Sequence, residues 1–248
     1  MDGDQVWCWR NISQVIIPSM VSQKRMEASA FLEFIRLVIG GDVEKASRRL
    51  RVTPELATMG LPLSTRSLFW CEIRHHMYGG DTALHMAAAA FSRAMAELLV
   101  SYKADVRARN RRGAEPLHYA ADGHRPEQAG VIRYLISVGA EPNAVDKSGV
   151  APLHRAVRKR ADAAVLALLD GGAECRLPNK SGSTPLHLAV QNTGASGSGS
   201  DEARQRQKAI IKLLLARGAK PTDTDSQGKT VEQAAISGWI REMLEPIS

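Results

Sequence analysis

The chain has 248 residues, 44% hydrophobic, 24% charged and only 5% aromatic, the balance of a globular protein whose core is built from Leu, Ala, Val and Ile. Lys and Arg total 33 against 26 Asp and Glu, a formal charge of +7, which favours encounter with acidic partners and dictates no fold. Three scattered cysteines, Cys8, Cys71 and Cys175, make no disulfide framework, and no apolar run approaches the roughly 18 residues of a membrane helix, so the expected setting is a reducing one, the cytoplasm, with no membrane attachment.

The opening stretch, MDGDQVWCWRNISQVIIPSM, begins acidic and holds one short apolar cluster, so it fails as a secretory signal. With Met20 and Met26 as alternative starts, residues 1–25 read as a poorly ordered arm and residues 26–248 as one domain. Phe31, Phe34, Ile35 and Val38 follow helical spacing, and Asp42 is placed to cap a second helix. Residues 60–76, GLPLSTRSLFWCEIRHH, read as an overlong connection that folds back through Leu68, Phe69, Trp70 and Ile73. One phrase then recurs: GGDTALHMAA from Gly79, RGAEPLHYAA from Arg112, SGVAPLHRAV from Ser148 and SGSTPLHLAV from Ser181. Its histidines, His85, His118, His154 and His187, stand 33, 36 and 33 residues apart.

The last copy shows why the phrase is written this way. Thr184 is a good N-cap, because its hydroxyl can accept from a backbone N–H one turn in. Pro185 then loses nothing at the first helical position, where its missing N–H would be unpaired anyway. Leu186, Ala189 and Val190 make a short apolar stripe. A second helix, AIIKLLLARGA, ends at Gly218, which suits a left-handed C-cap. VDKSG and NKSG read as tight turns between copies. One such helix pair cannot bury its own apolar face, whereas stacked pairs can.

A period of 33 with T-P-L-H opening a helix pair resembles the ankyrin repeat, over roughly residues 31–245. The resemblance implies an all-α fold, a solenoid of about six helix-turn-helix units with N- and C-terminal capping repeats. The units run about 31–59, 77–109, 110–145, 146–178, 179–224 and 225–245, with a long finger at 60–76 and Trp239 covering the last unit. Departures from the pattern are visible. Ala151 stands where threonine should cap, at a cost of about 1 kcal/mol. Lys103 stands where glycine should turn the chain, at roughly 1–2 kcal/mol. The unit at 110–145 has extra residues around DGHRPEQAG. The fifth unit carries an insertion at 193–205 of flexible composition. Within it, at the end of the flexible stretch from Gly194, Ser200 is placed to cap a lengthened outer helix, with Asp201 and Glu202 in the first turn.

The chemistry-bearing residues sort into three groups. The resemblance implies that the four repeated histidines tie each turn to the next unit by hydrogen bonds, which explains them better than a metal cage. Cys71, His75 and His76 form C-x3-H-H, and a metal-dependent activity there is one alternative reading. No H-E-x-x-H, G-x-S-x-G, Walker or G-x-G-x-x-G motif is present, so the chain reads as a non-enzyme needing no cofactor. The third group is basic: Arg107, Arg109, Arg111 and Arg112; Arg155, Arg158, Lys159 and Arg160; Arg204, Arg206 and Lys208.

In ankyrin proteins partners meet the finger tips and the exposed ends of the inner helices. Carried over, these places are Tyr78, Asp81, Arg111, Arg112 and Asp122, then Lys147, Arg158 and Lys159, then Lys180, Gln191, Asn192 and Lys229. The expected function is non-catalytic binding of a protein partner of acidic character, by a monomer, through a concave face and its β-turn fingers. The other alternative is nucleic-acid or anionic-surface binding through the same basic face. It is weakened by the scarcity there of aromatic residues on which bases could stack.

Overall fold

The computed structural model describes residues 22–65, 67–191 and 200–245, with side chains from residue 28 onward. The expected N-terminal arm lies outside the described residues up to position 21, as does most of the flexible insertion. The chain is mostly helical and falls into two compact units, divided between Pro116 and Leu117.

In the first unit, α1 (Ser22–Ile39) packs on α2 (Val43–Val52) and α3 (Ala83–Ala89), and α4 (Arg93–Ser101) packs on α3 and α2. Helix α1 begins well before the expected Phe31. Its predicted stripe is the core: Phe31, Phe34, Ile35 and Val38 are all buried, each burial contributing roughly 1.5–3 kcal/mol. Asp42 caps α2 by accepting from Lys45 N at 3.0 Å. A 3-10 turn at Pro54–Ala57 then buries Leu56 and Ala57.

The all-α expectation fails at the long finger. There β1 (Ser67–Trp70) and β2 (His75–Tyr78) pair antiparallel, with Leu68 opposite Met77 and Phe69 opposite His76. The physical reason is a period of two. Leu68, Trp70 and Met77 share the buried face, whereas Ser67, Phe69, His76 and Tyr78 share the other. The segment does fold back, as the apolar residues predict, but as a ribbon rather than a packed loop.

In the second unit the helices pair and stack in order. Helix α5 (Pro116–Ala120), which enters the unit at Leu117, is followed by α6 (Gln128–Ser137), α7 (Pro152–Arg158), α8 (Asp162–Asp170), α9 (Pro185–Ala189) and α10 (Asp201–Ala216). Two short helices, α11 (Val231–Ala234) and α12 (Gly238–Leu244), close the chain. The inner row stacks α7 on α9 and α9 on α11, and the outer row α6 on α8 and α8 on α10. Ser200 caps α10 by accepting from Ala203 N at 3.2 Å. That helix runs 16 residues against nine in α8, lengthened as expected. Trp239 is half-buried, with the Lys208 ammonium 5.4 Å from its ring centroid.

Two devices join inner to outer helices. Where the connection is short, one left-handed residue turns the chain: Gly41, Phe91 or Arg160, at φ +71, +54 and +58. Where it is longer, a buried glutamine of the outer helix donates to the end of the inner one. Gln128 Nε2 bonds Ala120 O and Gln207 Nε2 bonds Ala189 O, both at 2.7 Å.

Candidate functional site

Four tight turns carry the predicted tips: Asn110–Gly113 in the first unit, and Asp146–Gly149, Asn179–Gly182 and Asp225–Gly228 in the second. Each is built the same way. The Oδ1 of the first residue accepts from the N–H two and four positions on, as in Asn179 with Ser181 at 2.9 Å and Ser183 at 3.1 Å. The first N–H donates to the fifth carbonyl, and the glycine sits at φ between +72 and +77. Neighbouring turns are linked within each unit: Arg111 N donates to Gly79 O at 2.7 Å, Lys180 N to Ser148 O at 3.2 Å, and Ser226 N to Ser181 O at 3.1 Å. A Cβ on Gly149 would stand 2.7 Å from Lys180 N, so this glycine serves the close approach as well as the left-handed backbone. The aspartates are tuned by the same bonds. The N–H groups of Lys229 and Gln227 hold the Asp225 carboxyl below its ordinary range. Burial pushes Asp146 up, but the Ser148 N–H, the Arg155 guanidinium and the Val150 N–H outweigh it.

The repeated histidines fasten this edge to the helices. His85, His154 and His187 each accept through Nδ1 from the backbone N–H of their own N-cap, Thr82, Ala151 and Thr184, at 3.1, 3.1 and 3.2 Å. With Nδ1 accepting, the proton resides on Nε2, which meets the carbonyls of Ala114, Ser183 and Lys229 at 3.1, 3.2 and 3.3 Å. His118 Nε2 meets Val150 O at 3.0 Å. Burial lowers the pKa of His85 and His154, so the neutral ring is the working form. The turn-to-neighbour role that the resemblance implies is the one these bonds perform. At Ala151 the hydroxyl of a threonine cap is missing, yet His154 still satisfies the cap N–H.

The predicted tip residues divide by environment. Lys147, Arg158, Lys180 and Lys229 are exposed, and none has a carboxylate within ion-pair reach among the described residues. Lys159 is exposed but lies 3.2 Å from Asp122. Asp122, half-buried, is also 3.6 Å from Arg155, which reaches Asp146 at 3.0 Å. Arg155 is therefore a neutralised strut that charge counting along the sequence mistakes for free positive surface.

Arg160 likewise points inward, donating to Ala189 O and Gln191 O at 3.3 and 2.8 Å. Gln191 is exposed, and Asn192 lies outside the described residues. Asp81 is a correction. It is fully buried, accepting from Tyr78 N at 2.6 Å and Asn110 Nδ2 at 2.8 Å, so it presents nothing to a partner. On the inserted helix Arg204 and Arg206 pair with Asp201 and Glu202.

At the first unit's tip, Arg111 Nη1 donates to Thr65 O and Arg112 Nη1 to the Tyr78 hydroxyl, both at 3.0 Å. The Arg112 guanidinium also lies 4.9 Å over the Tyr78 ring. Cys71 sits in the ribbon turn, and His75 and His76, being adjacent on β2, face opposite sides. The His76 ring packs 4.9 Å from Phe69 and 6.0 Å from Tyr78. Burial, then His75 and Arg112, lower its pKa. Among the described residues no three His, Cys, Asp or Glu side chains are grouped to hold a metal ion.

A family model described as ankyrin repeats (3 copies) matches residues 60–146 and 127–225. Similar stretches occur in the human protein phosphatase 1 regulatory subunit 27, 33% identical over 49% of this chain and 65% of that protein. They occur also in the human ankyrin repeat and SOCS box protein 6, 33% identical over 57% of this chain and 36% of that protein. The E3 ubiquitin-protein ligase KEG of Arabidopsis thaliana is 39% identical over 37% of this chain and 6% of its own length. The chain thus spans less than two thirds of each of these relatives. The repeated cap, the histidine strut and the glycine-ended turn recur in register across the matched residues, and the chain belongs to the ankyrin-repeat family.

Proposed function

We propose that the chain is a non-catalytic protein-binding module, a monomer of six repeats with capping units at about 31–59 and 225–245. On this reading it works in a reducing compartment, the cytoplasm, and takes an acidic protein partner along a concave face and its turn tips. Tyr78, Arg111, Arg112, Lys147, Arg158, Lys159, Lys180, Gln191 and Lys229 would make the contact. The observation that carries the reading is the state of Lys147, Arg158, Lys180 and Lys229. These cations are exposed and lack a carboxylate partner among the described residues, while the turns that hold Lys147 and Lys180 and the one that Lys229 follows are locked by side-chain and neighbour bonds. A surface already ordered before binding loses little entropy on association. A relative named as a regulatory subunit of a phosphatase is, by that name, a protein acting on another protein.

The test is affinity capture with the full chain against the variant Arg111→Glu/Arg158→Glu/Lys159→Glu, followed by titration of each captured protein in purified form. The reading expects an acidic protein bound by the wild type and lost from the variant. Identical captures would remove this face from the function. Affinity that depends on nucleic acid and falls steeply with salt regardless of sequence would move the reading to nucleic-acid binding.

A further inference from the structure

We infer that Arg111 and Arg112, with the outer face of the β1–β2 ribbon, form a preorganised receptor for an acidic, extended peptide segment of a partner protein. This rests on the protein-binding reading above and adds where the strongest contact lies and what it recognises.

Both guanidinium groups are pinned by one N–H to a neutral acceptor, Arg111 to Thr65 O and Arg112 to the Tyr78 hydroxyl, each at 3.0 Å. Their backbones are fixed too, Arg111 N by Gly79 O and Arg112 N by the Asn110 side chain. Both side chains are exposed, and no carboxylate lies within ion-pair reach among the described residues. Two like charges on consecutive residues repel, so an arriving anion relieves a repulsion that folding leaves in place. Each guanidinium keeps N–H donors in a planar fork, the geometry that carboxylates accept bidentately.

The surroundings favour a peptide over a nucleic acid. The Tyr78 ring is already covered by Arg112 at 4.9 Å, and His76 packs between it and Phe69, so these rings are engaged with one another rather than open to bases. Leu63 is 69% exposed, its loop lying over Gly79 and Gly80. It offers aliphatic contact beside the arginines, and such a mixture of Tyr, Arg and apolar surface is typical of binding hot spots.

A random dodecapeptide display library panned on the full chain tests this. Enriched sequences should place Asp or Glu beside an aliphatic or aromatic residue. A synthetic peptide of that sequence should bind at least about tenfold more weakly to Arg111→Gln/Arg112→Gln. Arg112→Lys, which keeps the charge and loses the fork, should weaken it several-fold, and Arg49→Gln/Arg51→Gln, two exposed arginines on α2 away from the tip, should change it little. Unchanged thermal melts will show that these exposed substitutions leave the fold intact. Full binding to Arg112→Lys would overturn the fork. Acidic peptides lost only from Arg158→Gln/Lys180→Gln would overturn this inference and leave the protein-binding reading standing. No acidic enrichment, or displacement of the peptide by an oligouridylate probe that itself needs Arg111 and Arg112, would sink the receptor as described.

Discussion

Lys103 turns the chain after α4 at φ +67, in the small left-handed region that an L residue occupies under strain. Gly139, Gly172 and Gly218 make the corresponding turns at φ +102, +94 and +91, wider than a side chain allows. Lys103→Gly should therefore stabilise the protein by about 0.5–1 kcal/mol, the relieved strain less the added freedom of the unfolded chain; a urea midpoint no higher than wild type would contradict this. This position is legible from the repeat alone, because glycine is the residue that the register demands. Phe91 and Arg160 take the left-handed conformation as well, and nothing in their chemistry announces it. Arg155 and Asp81 were equally hidden. A sequence supplies their charge, but only the fold supplies the carboxylates around one and the backbone N–H over the other.

Turns and connections show what a whole element adds to its residues. Gly149 and Gly139 both have positive φ, yet a Cβ at Gly149 meets Lys180 N at 2.7 Å and one at Gly139 meets nothing within 4 Å. Gly139→Ala should cost about 1–2 kcal/mol of strain, and Gly149→Ala more, because the neighbouring turn must also move. Equal losses in denaturant unfolding would mean that the tips are not locked to one another. Gln207, buried, gives its Nε2 to Ala189 O at 2.7 Å and Gln191 O at 3.0 Å. Gln207→Ala should destabilise by roughly 0.5–1.5 kcal/mol by removing a buried hydrogen bond and leaving Ala189 O with only the longer Arg160 contact at 3.3 Å, whereas an exposed neighbour such as Gln205→Ala should be near neutral in thermal melts. The lengthened α10 is written in Ser200, Asp201 and Glu202. The glutamine clamp is not, since glutamine on a helix is ordinary until its partner carbonyl is known.

At the scale of the whole chain the histidine struts make stability pH-dependent. Burial holds His85 and His154 below the ordinary histidine value near 6.5, so between the two values the unfolded chain binds more protons than the folded one. Their contribution is complete above about pH 6.5 and is lost as pH falls from there toward the lowered folded values, at most about 1.4 kcal/mol per pH unit for each ring. Carboxylates held low, Asp146 and Asp225, withdraw their share only at more acid pH, below their ordinary value of 3.8. Melting temperatures should thus drop between pH 7 and pH 5.5, and the slope should flatten in His85→Gln/His154→Gln; an equal slope in that variant would take the struts out of the account. The sequence by itself determined the repeat, its period, its caps and its family, because each copy solves the same local problem of starting a helix and turning out of it. It determined the folding-back of residues 60–76 but not its form, since a short apolar run fits loop, helix or strand until its neighbours bury one side. Only the tertiary structure decided which cations are spent on internal carboxylates and which stay free, because charge neutralisation acts through space between residues as far apart as Asp122 and Arg155.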